Sequence, residues 1–286
     1  MPESSAAPRT MADMLKNFSI EIGTREPKVV TAAVNRLEPG TEVYLTWIPG
    51  EDPFRAVEAS AGLSRGGLKP VPHIGARHLE NENQLSEILN RLTGEAGVDR
   101  ILLVGGERDD PLGPYDSSLK VMQTGLIQKY GIKRVGVGGF PEGHPKISDK
   151  ILGEALVEKM NFARQSGLTL HIVTQFCFEG QAILDWLRKI RAIGVDMPVR
   201  IGLAGPASLT TLTRYALRCG VGNSIRALTH GPAFSKLLTE RNPEPIVRDL
   251  AAANGAAQSL GIAALHFYSF GGFGKTVDWI TAARAQ

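Results

Sequence analysis

The chain has 286 residues, 43% of them hydrophobic and 21% charged, with a formal net charge of +3. That is enough chain for one barrel-sized core, and so small a basic excess argues against a nucleic-acid surface without excluding an anionic small molecule. Two cysteines, Cys177 and Cys219, match no zinc spacing and make no disulfide framework.

No stretch approaches the ~20 apolar residues of a membrane span, and the first residues lack the apolar run of a signal peptide. The expected setting is cytoplasmic. Residues 1–16, rich in Ser, Ala and Pro before a short amphipathic stretch, read as an N-terminal arm, and 17–286 read as a single domain. From there strand patterns recur at Phe18–Ile22, Glu42–Trp47, Lys69–Ile74, Arg100–Gly105, Arg134–Gly139, Leu170–Phe176, Val199–Leu203 and Ile262–Tyr268. Helical patterns lie between and after them, at 27–37, 54–65, 80–96, 116–130, 148–166, 179–193, 207–219 and 243–260, with a shorter one near 231–240. Asn81 and Ser148 stand where helix caps belong, and Pro27 suits a first turn.

Strict alternation implies parallel strands joined by helical crossovers, and eight such units predict a closed (β/α)8 TIM barrel. The alternative is an open doubly wound sheet. Such a sheet usually carries G-x-G-x-x-G after its first strand, and nothing of the kind follows Phe18–Ile22. The phosphate-loop look-alike at 269–276, SFGGFGKT, lacks the opening glycine.

In a barrel of this kind the chemistry sits at the carboxyl ends of the strands. Alternation in the first strand places Ile20 and Ile22 toward the helices and Glu21 toward the interior, where burial would raise its pKa and suit it to general acid work. A structural ion pair is the plainer reading. The second strand ends in Thr46-Trp47, the third at His73, and the fourth at Gly105-Gly106-Glu107, whose glycines allow a ligand close to the backbone. The fifth runs into Phe140-Pro141-Glu142-Gly143-His144-Pro145. The sixth carries His171, Val173 and Gln175 on one face, and the amide of Gln175 both donates and accepts. Lys159 and Arg164, on the helix after the fifth strand, could hold phosphates or simply form a solvated face. The last strand ends in His266-Phe267-Tyr268-Ser269-Phe270, aromatic surface for a planar ligand. No strand ends in lysine, no His-x-His pair opens the barrel, and no G-x-S-x-G elbow occurs, which disfavours Schiff-base, metal-hydrolase and serine-hydrolase chemistry. What is left suits a large planar heterocycle and a cofactor that carries the reaction.

FPEGHP at 140–145 and VTQFCF at 173–178, with FSIEI, LTW, PHI at 72–74 and HFYSF at 266–270, resemble the methylenetetrahydrofolate reductase family over about Phe18–Trp279. These are flavin-dependent (β/α)8 barrels of one-carbon metabolism. The resemblance implies FAD at the carboxyl ends of the strands, with NAD(P)H and a tetrahydrofolate derivative taking turns at it. It implies Glu21 as general acid, Gln175 at the pterin with Tyr268 nearby, and Thr46, Trp47, His73, Phe140 and His144 along the FAD beside Gly105 and Gly106. Arg164, and more loosely Lys159, would be the basic residues near it. Glu107 stands where the family commonly has a catalytic aspartate beside flavin and folate. Glycine replaces an arginine at Gly105, and Phe140 replaces a tyrosine. A basic residue expected after the last strand is Gly272, with Lys275 as a substitute. These changes point to a divergent branch. The main expectation is interconversion of 5,10-methylenetetrahydrofolate and 5-methyltetrahydrofolate. The alternatives are a 5-methyltetrahydrofolate-oxidising enzyme of a demethylation pathway with poor NAD(P)H use, and a flavin-free folate-binding paralogue. Exposed helices of such barrels often pair, which leaves a homo-oligomer open.

Overall fold

Runs of Val, Ile and Leu alternating with polar or small residues form strands that bury one face against helices and turn the other inward. The computed structural model describes residues 10–47, 50, 52–218, 242–253 and 260–285. The first half runs α1 (Met11–Leu15), β1 (Ser19–Ile22), α2 (Pro27–Arg36), β2 (Glu42–Leu45), α3 (Arg55–Arg65), β3 (Lys69–Gly75), a 3-10 turn at Ala76–His78, α4 (Glu82–Ala96) and β4 (Arg100–Val104). Next come α5 (Ser118–Gln123), α6 (Leu126–Lys129), β5 (Arg134–Gly139), α7 (Asp149–Ser166), β6 (Thr169–Thr174) and α8 (Gly180–Ala192). The chain continues through β7 (Val199–Ala204), α9 (Leu209–Arg218), α10 (Glu244–Ala252), β8 (Ile262–Tyr268) and α11 (Phe273–Arg284). The strands close in sequence order into one eight-stranded parallel barrel. This is a (β/α)8 TIM barrel, and the open sheet is excluded.

The chain clusters into two compact units, Ser19–Gly138 with Ala155–Ile172, and Met1–Phe18 with Gly139–Glu154 and Val173–Gln286. In the first, Ile20, Val43, Leu45, Ile74, Ile101, Leu103, Val135 and Val137 are buried, as are Ala33, Val57, Leu63, Leu85 and Leu89 of α2 to α4. Side chains alternate along each strand, so the other face carries Glu21 level with Tyr44, and His73 level with Leu102, which is level with Gly136. Near the strand starts, Arg100 is clamped by Glu42 at 2.6 Å and Asp99 at 2.7 Å.

In the second unit, α1 packs on α10, α11 and β8, and Thr10 caps it by accepting the Asp13 N–H at 3.1 Å. Arg191 of α8 donates to the carbonyls of Val195, Met197 and Leu260, at 2.5, 2.9 and 2.7 Å, and so ties the end of the helix to the approaches of β7 and β8.

The differences from expectation are mostly at ends. β2 stops at Leu45 and β6 at Thr174, so Thr46, Trp47 and Gln175 lie just beyond their strands. The single helix expected over 116–130 is two, because Gly125 takes φ +73, a left-handed conformation that breaks the ladder. The helix expected near 231–240, Cys219, and most of the N-terminal arm lie outside the described residues, and the helix expected over 243–260 is described only as far as Ala252.

Candidate functional site

Within the first unit, β1, β2, β3 and β6 bring four polar side chains together. The Glu21 carboxylate stands 3.5 Å from His73 Nε2, and both side chains are largely buried. Burial raises the Glu21 pKa, and the nearby His73 charge only partly offsets it. The Tyr44 ring lies edge-on to His73, with centroids 6.0 Å apart. Its hydroxyl meets His171 Nε2 at 2.9 Å. The imidazole of His171 has room because β5 offers a glycine there: a Cβ on Gly136 would lie 3.0 Å from that nitrogen and 2.9 Å from Leu102. Glu21 and His73 are thus adjacent. Tyr44 was not singled out from sequence, and His171 was named only as sharing a face with Val173 and Gln175. Tyr44 reads as one more apolar position of EVYL, although its register with Glu21 could have flagged it.

A second group forms beyond β2, β3 and β4. Thr46 N–H donates to the Ile22 carbonyl at 3.1 Å, which continues the β1–β2 ladder past the strand. Trp47 lies roughly parallel to the ring of His78, the last residue of the 3-10 turn, with centroids 6.4 Å apart and planes at 29°. His78 is buried, and its Nε2 lies 3.1 and 3.2 Å from the two carboxylate oxygens of Glu107. A carboxylate can only accept, so Nε2 carries the hydrogen. Among the described residues, nothing lies within 4 Å of where a Cβ on Gly105 would be, so the backbone there has room for a ligand beside them. Its carbonyl takes the Arg77 N–H at 2.9 Å, and the Arg77 guanidinium holds the Arg108 and Asp116 carbonyls, which pins the loop after β4.

In the second unit, Phe140 and His144 pack edge to face at 5.1 Å across the turn closed by Gly143 N–H on the Phe140 carbonyl. Glu142 braces this turn: its carboxylate accepts the Phe178 N–H at 3.2 Å. Burial pushes the Glu142 carboxyl up to about 7, the Phe178 N–H works the other way, and the charge of Glu179 adds to the rise. Burial and then the Glu142 charge keep the Cys177 thiol well above its ordinary value, so it is inert as a nucleophile. Gln175 N–H donates to the Gly139 carbonyl at 2.8 Å, while its side-chain oxygen takes the Phe176 N–H at 3.0 Å. The Tyr268 hydroxyl donates to the Thr174 carbonyl at 2.9 Å, and its ring packs with those of Phe176, His266 and Phe270. Phe176 packs edge-on to Phe178, Tyr268 and Phe270.

The two basic residues of α7 part company. Lys159 is half-buried, burial lowers its pKa, and its ammonium makes no hydrogen bond or ion pair among the described residues. The charge of Glu158 works against that lowering. Arg164 falls in the last turn of α7, five residues before β6 begins.

These side chains can be set beside known proteins. A family model described as methylenetetrahydrofolate reductase matches residues 28–225, well over half the chain. The chain belongs to the methylenetetrahydrofolate reductase family. "Methylenetetrahydrofolate reductase 2" of Saccharomyces cerevisiae (strain ATCC 204508 / S288c) is 27% identical over 129 residues, which is 44% of this chain and 20% of that protein. The match thus spans only a fifth of the curated relative's length. Among solved structures, the dihydropteroate synthase of Thermus thermophilus matches with a TM-score of 0.45 at 15% identity, over 94% of this chain and 95% of that one. The 3-keto-D-glucoside 4-epimerase of E. coli matches with a TM-score of 0.45 at 13% identity, over 93% and 99%. The fold rests on the strand order itself, and membership of the reductase family rests on the sequence match.

Proposed function

We propose that the protein is a flavin-dependent oxidoreductase that interconverts 5,10-methylenetetrahydrofolate and 5-methyltetrahydrofolate, with NAD(P)H as the other substrate. The buried Glu21 carboxyl beside His73 carries this reading, because opening the folate ring needs a proton donor shielded from water. Family membership supplies the substrate class. FAD, when bound, supplies a store for the hydride. The residues present fit such a group: Gly105 offers open backbone, Trp47 a flat ring, and Lys159 an ammonium without a hydrogen bond or ion pair among the described residues.

The chain's own contribution is to bind and to move one proton. Glu21, whose pKa burial raises, gives its proton to the folate ring nitrogen whose bond to the bridging carbon breaks. The carbon left as an iminium then accepts the hydride, and in the reverse direction Glu21 takes the proton back. His73 stands next to the carboxylate so produced and stabilises it. In their own unit, Phe140, His144, Gln175 and Tyr268 carry the cofactor and pterin contacts that the family resemblance assigns to them. Arg164 and, more loosely, Lys159 are the phosphate-holding residues in this reading.

The absorbance spectrum of the purified protein tests the cofactor first. Bands near ~370 and ~450 nm, natively or after added FAD, are expected of bound flavin. The Glu21→Gln variant tests the acid: folate turnover should fall about 100-fold or more while the flavin bands stay. Full turnover in that variant would remove Glu21 from the mechanism.

A further inference from the structure

We propose that His78 is a positioning residue for Glu107, fixing its carboxylate above the open glycine edge at the end of β4. The inference rests on the folate oxidoreductase reading, which gives that carboxylate something to hold. Glu107 is 63% exposed at its side chain, whereas His78 is only 8% exposed. An exposed glutamate ordinarily samples many rotamers, and immobilising such a side chain costs conformational entropy. Here one N–H centred on both oxygens restrains it, at 3.1 and 3.2 Å.

The imidazole is itself built in. A Cβ on Gly75 or on Gly106 would lie 3.0 Å from His78 Cδ2, so the two strand ends leave room for this ring and little more. Gly106 also takes φ +93, a conformation that favours glycine. Trp47 closes another side as a near-parallel ring. A histidine packed among two glycines and an indole has one direction in which to offer its Nε2–H, and Glu107 lies there. The adjacent Gly105, with no neighbour at its Cβ position among the described residues, leaves space beside the carboxylate. A carboxylate fixed at an open edge can accept two parallel N–H donors, as the amino-pyrimidinone edge of a pterin presents. Held in place, it binds without the cost of ordering a free side chain at that moment.

The test is a double-mutant cycle on the FAD-loaded protein, comparing His78→Leu, His78→Gln, Glu107→Gln and the His78→Leu/Glu107→Gln pair. Affinity for 5-methyltetrahydrofolate is read by calorimetry, and kcat and KM are measured separately. Loss of one hydrogen bond to a charged group is expected to weaken folate binding about tenfold in His78→Leu. His78→Gln, whose amide N–H2 reaches about as far as Nε2, should weaken it less than about threefold. In the Glu107→Gln background, His78→Leu should add less than about a twofold change. An equal loss in both backgrounds, or full affinity in His78→Leu, would overturn the proposal. The pairing has a readout without any ligand: 15N-histidine NMR of the FAD-free protein should show a slowly exchanging Nε2–H that disappears in Glu107→Gln. Its absence from the wild type overturns the pairing whatever the activity. Its presence in a protein that binds no folate overturns the folate reading instead.

Discussion

At the scale of single residues, Glu21 makes the clearest prediction. A general acid works while protonated, and burial holds the Glu21 pKa above the ordinary 4.5. Folate reduction should therefore be fastest below that raised value and decline as pH climbs through it, a limb that Glu21→Gln abolishes along with most of the rate. The same shift makes Glu21 a stability cost: its charged form is disfavoured in the fold, so stability falls as pH rises through the folded pKa. Tyr44→Phe is expected to cost about 1–2 kcal/mol, because the hydroxyl that meets His171 at 2.9 Å is lost inside the barrel. Thermal unfolding measures it directly. Glu21 and His73 were legible because a charged or imidazole residue at an apolar strand end breaks its pattern. His78 was not. It lies in a 3-10 turn where a histidine means nothing by itself, and only the shape of Gly75 and Gly106 around it gives it a role.

At the scale of elements, period-two and period-3.6 patterns placed every strand, and the misses were at boundaries governed by backbone conformation. A helix was expected through Gly125 because the apolar spacing of Val121, Met122, Leu126 and Ile127 continues across it, and all four are indeed buried. The left-handed glycine changes the path of the chain without disturbing that spacing. The turn after β5 carries its own pH signature. The Glu142 carboxyl sits at about 7 instead of 4.5, so the stability it lends while protonated is complete below 4.5 and is lost as pH rises through about 7. The loss is on the order of 3 kcal/mol, and Glu142→Gln, which keeps an acceptor for the Phe178 N–H, should remove it. Unfolding midpoints in denaturant at several pH values would show a slope through about 7 in the wild type that is shallower in the variant.

At the scale of the molecule, the barrel was readable because eight alternating units leave few other ways to bury eight parallel strands. What holds the ends of elements together was not readable, since it depends on long side chains meeting backbone. Arg191 is the example: α8 was expected from its apolar stripe, yet nothing in that stripe says its arginine will gather carbonyls at Val195, Met197 and Leu260. Arg191→Met should keep the aliphatic packing and leave those carbonyls short of donors, for a loss of about 2–4 kcal/mol seen as a lower denaturation midpoint.

The neighbouring glycines after β4 differ in how freely the protein can change there. Gly106 is committed, because any larger residue would strain the backbone and press on His78. Gly105, one position earlier, meets none of the described residues where a side chain would begin. Of the two, it is the position at which natural drift or a designed library could place a new functional group beside Glu107 without first dismantling the cradle that holds it.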